Sequence, residues 1–188
     1  LSVMKPQDKK ISRAVRSSRR SSRKGRPAKS TSRNNPAQVR KVLDFFAEAG
    51  LLKRVKRSGW WVAGLHNPES VAEHCFRCAV IGFCMAHEEG ADPYRVLAMT
   101  LFNDIHEARI NDLHKMGHYY IDFKEAEKKV FRDQVSALPA RIKGPLESIR
   151  ADYDGQQSLE ALVARDADIL ECLVQAKEYL DNGYPVAR

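Results

Sequence analysis

Apolar residues recur every three or four positions along most of the chain after residue 35, which is the spacing of one face of an α-helix. Asn35-Pro36 marks the first helix start, because asparagine suits the N-cap and proline suits the first helical position. The alternation of apolar and polar residues that is typical of strands is not convincing anywhere. We therefore predict an all-α protein whose helices form an irregular bundle. The apolar stripe of the first helix contains Val39, Val42, Leu43 and Phe46.

Start signals divide the rest of the chain into further helices. Asn67-Pro68 and Asp92-Pro93 predict the starts of the second and third helices, and Asp122 is the predicted cap of a fourth that runs to about Leu138. A short fifth helix is predicted over residues 144–155, and Ser158 is expected to cap the last one, which ends near Gly183. The residues predicted to face the core are Val71, Cys75, Cys78, Ile81, Leu97, Leu101, Ile105, Leu159, Leu162, Val163, Leu170 and Leu173.

The charge is distributed unevenly. The net charge is +8, but residues 1–35 hold 12 of the 32 Lys and Arg residues and only one of the 24 acids, Asp8. The rest of the chain, with 20 basic and 23 acidic residues, is mildly acidic. We therefore divide the chain into a basic Arg/Ser-rich arm of a disordered type, residues 1–35, and a helical domain, residues 36–188.

Three interpretations of the arm remain open. Its composition suits a mitochondrial transit peptide, a solvated linker, or a segment that neutralises nucleic-acid phosphates. We favour the last of these, with RNA or a ribonucleoprotein as the partner. The arm has no aromatic residue for base stacking, so the contacts are expected to go to phosphates. The predicted RNA-binding residues are Arg13, Arg16, Arg19, Arg20, Arg23, Lys24 and Arg26.

The cysteine count and the length of the apolar runs indicate the cellular compartment and the relation to membranes. Four cysteines are too few for a disulfide scaffold, which favours small reduced residues in a reducing intracellular compartment, either mitochondrial or cytoplasmic. The spacing of Cys75 and Cys78 hints at zinc, but a second ligand pair is not evident. The longest apolar run, AVIGFCMA, is far shorter than the ~20 residues that a membrane-spanning helix needs. No membrane partner is predicted.

Several polar residues interrupt otherwise apolar helical faces. These are His74, Asp104, Asp166 and Asp168. One such residue alone is usually a hydrogen-bonded core residue, but several on different helices of a small bundle indicate a metal site. One imidazole with several carboxylates suits a hard or borderline cation that activates water.

Three segments together resemble the HD-domain phosphohydrolase superfamily, and most closely its 5′-deoxynucleotidase-like branch. They are NPESVAEHCFRCAV, NDIHEARINDLHK and ARDADILECLVQAKEY, and the resemblance extends over about residues 39–183. It implies an all-helical fold, a divalent metal (Co, Mn, Mg or Zn), and release of phosphate from nucleoside 5′-monophosphates. It also implies a homodimer.

The resemblance also assigns roles to individual residues. It implies that His74, Asp104 and Asp168 are metal ligands, although helical periodicity alone would favour Asp166 over Asp168. Glu107 and Asp112 match acids that act on the water or the leaving group. Arg57, in KRSGWW, looks like the phosphate-binding arginine, and Trp60 is equally a candidate for a pocket wall or for the core.

Two positions depart from the family pattern. Asn103 stands where the family has the histidine of its His-Asp doublet, and Asn111 replaces a glycine. A neutral amide is a weaker ligand than imidazole for transition metals. Two functions therefore remain open. The first is an enzyme with a weakened metal site. The second is a catalytically degenerate, metal-free subunit of a ribonucleoprotein, for example a mitochondrial ribosome, anchored to RNA by the arm.

Overall fold

A computed structural model describes residues 35–184, and within that range every long element is a helix, which confirms the all-α prediction. The arm and its predicted RNA-binding residues lie outside the described residues, as do residues 185–188. The helices are α1 (Pro36–Ala49), α2 (Ser58–Val62), α3 (Val71–Glu89), α4 (Pro93–Phe102), α5 (Glu107–Ile110), α6 (Phe123–Ser136), α7 (Ala140–Gly155) and α8 (Leu159–Asp181), with short 3-10 turns at Gly50–Lys53 and Gly117–Tyr119.

Four predicted helix starts are correct, and each has a side-chain cap. Asn35, Asp92, Asp122 and Ser158 accept hydrogen bonds from backbone N–H groups in the first turns of α1, α4, α6 and α8. A capping oxygen satisfies a donor that would otherwise lack a partner at the helix end, so these short polar residues fix where each helix begins.

The predicted start of the second helix is wrong by three residues. Helix α3 begins at Val71, where Ser70 and Glu73 form a reciprocal capping box. The backbone of Asn67-Pro68 stays non-helical. Instead, Arg57 N–H donates to the Glu69 carbonyl at 3.1 Å, and Val71 N–H donates to the Val55 carbonyl at 2.9 Å. These bonds tie the segment before α2 to the start of α3.

The last two helices also differ from the prediction. Helix α7 begins at Ala140, so Pro145 lies inside it rather than at its start. The buried face of α8 consists of Ala161, Val163, Ala164, Ala167, Glu171 and Gln175, whereas four of the five leucines and valines predicted to face inward are exposed. Three of the four residues of the α1 stripe, Val39, Leu43 and Phe46, are exposed as well.

Small residues explain why α8 packs on that face. Gly82 of α3 lies against α4, and a Cβ atom there would be only 3.0 Å from Val96 Cγ1 and 3.1 Å from Thr100 Cγ2. Ala164 and Ala167 are fully buried on the facing side of α8. Helices α3, α4 and α8 therefore approach closely and form the centre of the bundle, which brings their polar residues together.

Among residues 35–184, no helix combines the length and the apolar character that crossing a bilayer requires.

Candidate active site

Three of the predicted site residues meet at the centre of the α3–α4–α8 packing. The Nε2 atom of His74 lies 2.9 Å from Asp168 Oδ1 and 3.5 Å from Asp104 Oδ2. His74 and Asp104 are buried, with 1% and 8% of their surface exposed. Asp166, which periodicity favoured, instead points outward with 58% of its side chain exposed. The structure thus brings together the three residues that the family resemblance selected.

The orientation of His74 is set by a carboxylate that the sequence analysis did not identify. Its Nδ1 atom makes a short hydrogen bond to Glu171 Oε2, and Glu171 is completely buried. Arg77 donates to Glu171 Oε1 from Nε at 2.9 Å and from Nη2 at 2.7 Å. The bond at Nδ1 leaves Nε2 facing the carboxylates of Asp104 and Asp168. An imidazole held in this way by a carboxylate is typical of metal-binding histidines.

This arrangement predicts that Glu171→Gln weakens metal binding without unfolding the bundle. We expect a loss of metal affinity on the order of 10–100-fold, because outer carboxylates orient the ligating imidazole. Isothermal titration with Zn²⁺ measures it. Glu178→Gln is the matched control, because Glu178 also binds Arg77 but is half-exposed and does not touch His74. Equal affinities in the two variants would contradict the positioning role of Glu171.

Asn103 does not direct its amide oxygen at the cluster. Its Nδ2 atom donates a 2.9 Å hydrogen bond to Asp104 Oδ1, which leaves Asp104 Oδ2 facing His74. His106 is no replacement for the missing imidazole. It is buried on another side, where its Nδ1 atom donates to the Asn103 carbonyl at 3.1 Å and its Nε2 atom lies 3.5 Å from Glu127.

A cleft of about 480 Å³ opens beside the cluster. Asp168, Glu107, Asp112, Arg57 and Trp60 all line it. Asp112 Oδ2 accepts a 2.6 Å hydrogen bond from Ser58 N–H, and its Oδ1 atom lies 4.0 Å from Arg57 Nη1. Asp112 therefore anchors the start of α2 and with it the position of Arg57. Trp60, for which wall and core were equally expected, lines the cleft and donates to Glu69 from Nε1 at 3.0 Å.

Asn111 occupies a backbone conformation that favours the glycine it replaces. At φ 63° and ψ 168° it lies in a region that is essentially restricted to glycine, so the asparagine is strained there. The turn at the end of α5 nevertheless brings Asp112 to Ser58.

The electrostatics of the cluster favour a cation. Burial raises the pKa of Asp104, and the neighbouring carboxylate of Asp168 raises it further. Burial also raises the pKa of Glu107 well above its ordinary value, with additional contributions from Asp104 and Asp112. The Oε2 atom of Glu107 is buried and has no hydrogen-bond partner among residues 35–184. Crowded acids with an unpaired oxygen suit a divalent cation, which would neutralise their charge.

A cysteine also lies against the cluster. Cys78 follows His74 by one helical turn, and its Sγ atom is 3.6 Å from His74 Nε2 and 3.8 Å from Asp168 Oδ1. Burial raises the pKa of the Cys78 thiol to about 11, so without a bound cation it keeps its proton at neutral pH. The sequence analysis placed Cys78 in the core, which is correct as to burial but leaves out its position beside the polar cluster.

Several known proteins are similar to this chain over most of its length. The sequence matches the HD domain family over residues 49–186. It is 29% identical over 145 residues to the 5′-deoxynucleotidase HDDC2 of Dictyostelium discoideum, covering 73% of this chain and 76% of that protein. It is also 29% identical over 151 residues to the 5′-deoxynucleotidase HDDC2 of Homo sapiens, covering 80% of this chain and 74% of the human protein.

Solved archaeal structures share the fold. A conserved hypothetical protein from Pyrococcus furiosus superposes with a TM-score of 0.67 at 32% identity, over 76% of this chain and 84% of that one. A protein from Pyrococcus horikoshii OT3 superposes with a TM-score of 0.66 at 28% identity, over 76% and 80%. Because the family match extends over most of the chain, the predicted relationship is confirmed: this protein belongs to the HD-domain phosphohydrolases, on their 5′-deoxynucleotidase-like branch.

Proposed function

We propose that this protein is a metal-dependent phosphohydrolase that releases phosphate from nucleoside 5′-monophosphates. The observation that carries the proposal is the arrangement of His74, Asp104 and Asp168 beside a cleft that also contains the partly buried Arg57. In this proposal the three residues hold a divalent cation, with Co, Mn, Mg and Zn as the candidates. Such a cation supplies Lewis acidity and a nucleophilic water at neutral pH.

Arg57 is the proposed phosphate-binding residue. Burial by itself would lower the pKa of its guanidinium, but the carboxylates of Asp104 and Asp112 raise it above its ordinary value, so Arg57 stays charged. Its Nη2 atom contacts Cys172 Sγ at 3.3 Å, and its nearest carboxylate contact, to Asp112, is 4.0 Å long. A planar guanidinium with donors still free to bind suits phosphate oxygens, which it can hold through two bonds at once.

Glu107 is the proposed acid–base residue. Burial and the neighbouring carboxylates raise its pKa well above its ordinary value, which suits a proton donor, and its Oε2 atom has no partner among residues 35–184 and can transfer the proton. In the proposed reaction Glu107 exchanges that proton with the attacking water or the leaving 5′-oxygen. Asp112 acts indirectly, by positioning Ser58 and Arg57.

The rest of the cleft fits a nucleotide. A volume of about 480 Å³ falls within the ~300–1,000 Å³ range of ordinary ligand pockets. Trp60 offers an aromatic surface, while Lys115 and His118 add polar groups to the lining of the cleft. The name 5′-deoxynucleotidase carried by the relatives supports a deoxynucleoside 5′-monophosphate as the first substrate to test.

Phosphate release from a panel of nucleoside monophosphates tests the proposal. We expect turnover of 5′-monophosphates after incubation with Co²⁺, Mn²⁺, Mg²⁺ or Zn²⁺, and loss of turnover with a chelator. The matching 3′-monophosphates are the control, because the proposed activity acts on the 5′-phosphate. Absence of phosphate release with all four metals and all bases would overturn the proposal.

A second candidate function is a subunit of a ribonucleoprotein with a degenerate site. The observations that favour it are the replacement at Asn103 and the density of basic residues in the arm. The two functions are compatible, because an arm that binds RNA can be added to an active domain. The homodimer implied by the family resemblance also stays a prediction.

Removal of residues 1–34 tests the RNA-binding prediction. We expect the truncated protein to lose its association with RNA, because the basic residues predicted to contact the phosphates are removed. For the full-length protein we expect binding to weaken steeply with salt, because each neutralised phosphate releases counterions. Filter binding at several salt concentrations measures both the affinity and the salt slope. A full-length variant with Gln at the seven predicted RNA-binding positions is the control, because it removes the positive charges while the chain keeps its length. Unchanged affinity and slope after truncation would refute the prediction.

A further inference from the structure

We propose that Cys78 is the fourth metal ligand of this protein, a thiolate that takes over from the histidine that Asn103 replaces. The inference rests on the proposed metal site and extends it. It assigns a mixed ligand set of one imidazole, one thiolate and two carboxylates, from His74, Cys78, Asp104 and Asp168.

The distances fit a common metal-binding geometry. The Sγ atom of Cys78 lies 3.6 Å from His74 Nε2 and 3.8 Å from Asp168 Oδ1. With ordinary zinc–nitrogen, zinc–oxygen and zinc–sulfur bond lengths, the nitrogen–sulfur and oxygen–sulfur edges of a tetrahedron are each about 3.6 Å long. Cys78 and His74 are four residues apart on α3, so both side chains point from the same face of the helix.

Asn103 does not compete for this position. Its amide group donates to Asp104 Oδ1 and so acts on a neighbouring carboxylate rather than offering an oxygen to the cluster. The ligand lost from the end of α4 is therefore replaced from α3. The remaining carboxylate oxygen of Asp104, Oδ2, lies 3.5 Å from His74 Nε2.

Two other cysteines beside the cluster are less suitable. The Sγ atom of Cys75 donates to Asp104 Oδ2 at 3.8 Å, but it does not belong to the group of ligand atoms that His74, Cys78 and Asp168 form. Cys172 lies close to His74 and Glu171, but its Sγ atom already accepts a hydrogen bond from Arg57 at 3.3 Å. The Glu171 carboxylate is likewise occupied by His74 Nδ1 and by Arg77. Cys78, by contrast, faces the Nε2 side of the imidazole, which is where Asp104 and Asp168 converge.

A thiolate ligand changes which metal the site prefers. Soft sulfur favours zinc and cobalt over magnesium, whose preferred ligands are oxygen atoms. A bound cation would be held by His74 Nε2, Cys78 Sγ and the two carboxylates, and the thiol proton of Cys78 would leave to solvent, because a coordinating thiol is deprotonated. The protein should therefore bind Zn²⁺ and Co²⁺ well and Mg²⁺ poorly.

Titration of the metal-free, full-length protein with Co²⁺ tests the assignment. We expect a strong near-ultraviolet sulfur-to-cobalt charge-transfer band in the natural sequence, and its loss in Cys78→Ala with a drop in Co²⁺ affinity of at least about 10–100-fold. Cys172→Ala and Cys84→Ala should both keep the band. Cys84 is an exposed thiol on the same helix as Cys78. Circular dichroism checks that each variant keeps its helices.

The outcomes separate this inference from the proposed function. Visible cobalt absorption without the charge-transfer band, or a band that persists in Cys78→Ala, overturns the thiolate ligand and leaves a metal-dependent hydrolase intact. Absence of any cobalt binding overturns the thiolate ligand, and phosphate release with the other three metals then decides the proposed function separately. In the double variant Cys78→Ala/Asn103→His we expect recovered affinity without the sulfur band, since an imidazole then replaces the thiolate. Failure of the double variant to recover affinity, with its helices intact, would mean that Cys78 and Asn103 do not serve one coordination position.

Discussion

Asp168→Asn is expected to lower phosphate release by at least about 100-fold, together with metal affinity. Although burial favours the neutral acid, the hydrogen bond from His74 lowers the pKa of Asp168, so the residue carries its negative charge at neutral pH. Asparagine keeps the size and one oxygen of the side chain but removes that charge. We therefore expect weaker metal binding with unchanged helix content, because a carboxylate binds a cation more favourably than an amide does.

Asp166→Asn is the matched control. Asp166 lies two residues away on the same helix, carries the same side chain, and points outward. Helix content, thermal stability and phosphate release of this variant should equal those of the natural sequence within experimental error. Phosphate release and metal affinity, measured in parallel on the two variants, decide which aspartate of α8 is the metal ligand. Loss of activity in Asp166→Asn, or none in Asp168→Asn, would show that the ligand assignment on α8 is wrong.

The fold could be predicted from the sequence because its signals are local. Asn35, Asp92, Asp122 and Ser158 cap helices through hydrogen bonds to residues two or three positions ahead, so their effect can be recognised without tertiary information. The start of α3 was misplaced because two local signals competed, and the capping box at Ser70 determines the start rather than the earlier proline.

The buried face of α8 could not be predicted in this way. Leucines define its apparent apolar stripe, yet the helix turns alanines toward α3 and α4 because close packing requires small residues there. With its inward face misassigned, Glu171 could not be recognised as a buried residue. The one available signal was its spacing of three from Asp168, which places the two carboxylates on adjacent positions of one face.

The candidate site residues were chosen by family resemblance more than by periodicity. Helical spacing alone favoured Asp166, whereas the structure brings Asp168 to His74. The position of Cys78 beside the cluster could not be predicted from the sequence. A buried cysteine on an apolar helix is ordinarily a small core residue, and only the three-dimensional contacts with His74 and Asp168 reveal its position beside the polar cluster.

Asn103→His is expected to raise metal occupancy and nucleotidase activity together. The change places an imidazole next to Asp104, beside a set of residues that otherwise matches the family, and imidazole binds transition metals more strongly than an amide. The gain in affinity should be modest in the natural background if Cys78 already completes the site. In the Cys78→Ala background it should reach about 10-fold or more, the size expected for regaining a group of the metal site.

A thermodynamic cycle of Asn103→His, Cys78→Ala and the double variant measures this dependence directly, because two residues that serve one position are not additive. Zn²⁺ affinity and phosphate release should be measured on the same preparations. Asn103→Gln is the control for side-chain bulk without an imidazole, and it should give no gain, since it still offers only an amide. A protein that binds no metal and releases no phosphate even as Asn103→His would exclude the enzyme. The degenerate ribonucleoprotein subunit would then be the remaining candidate, because the loss of function would extend beyond one missing ligand.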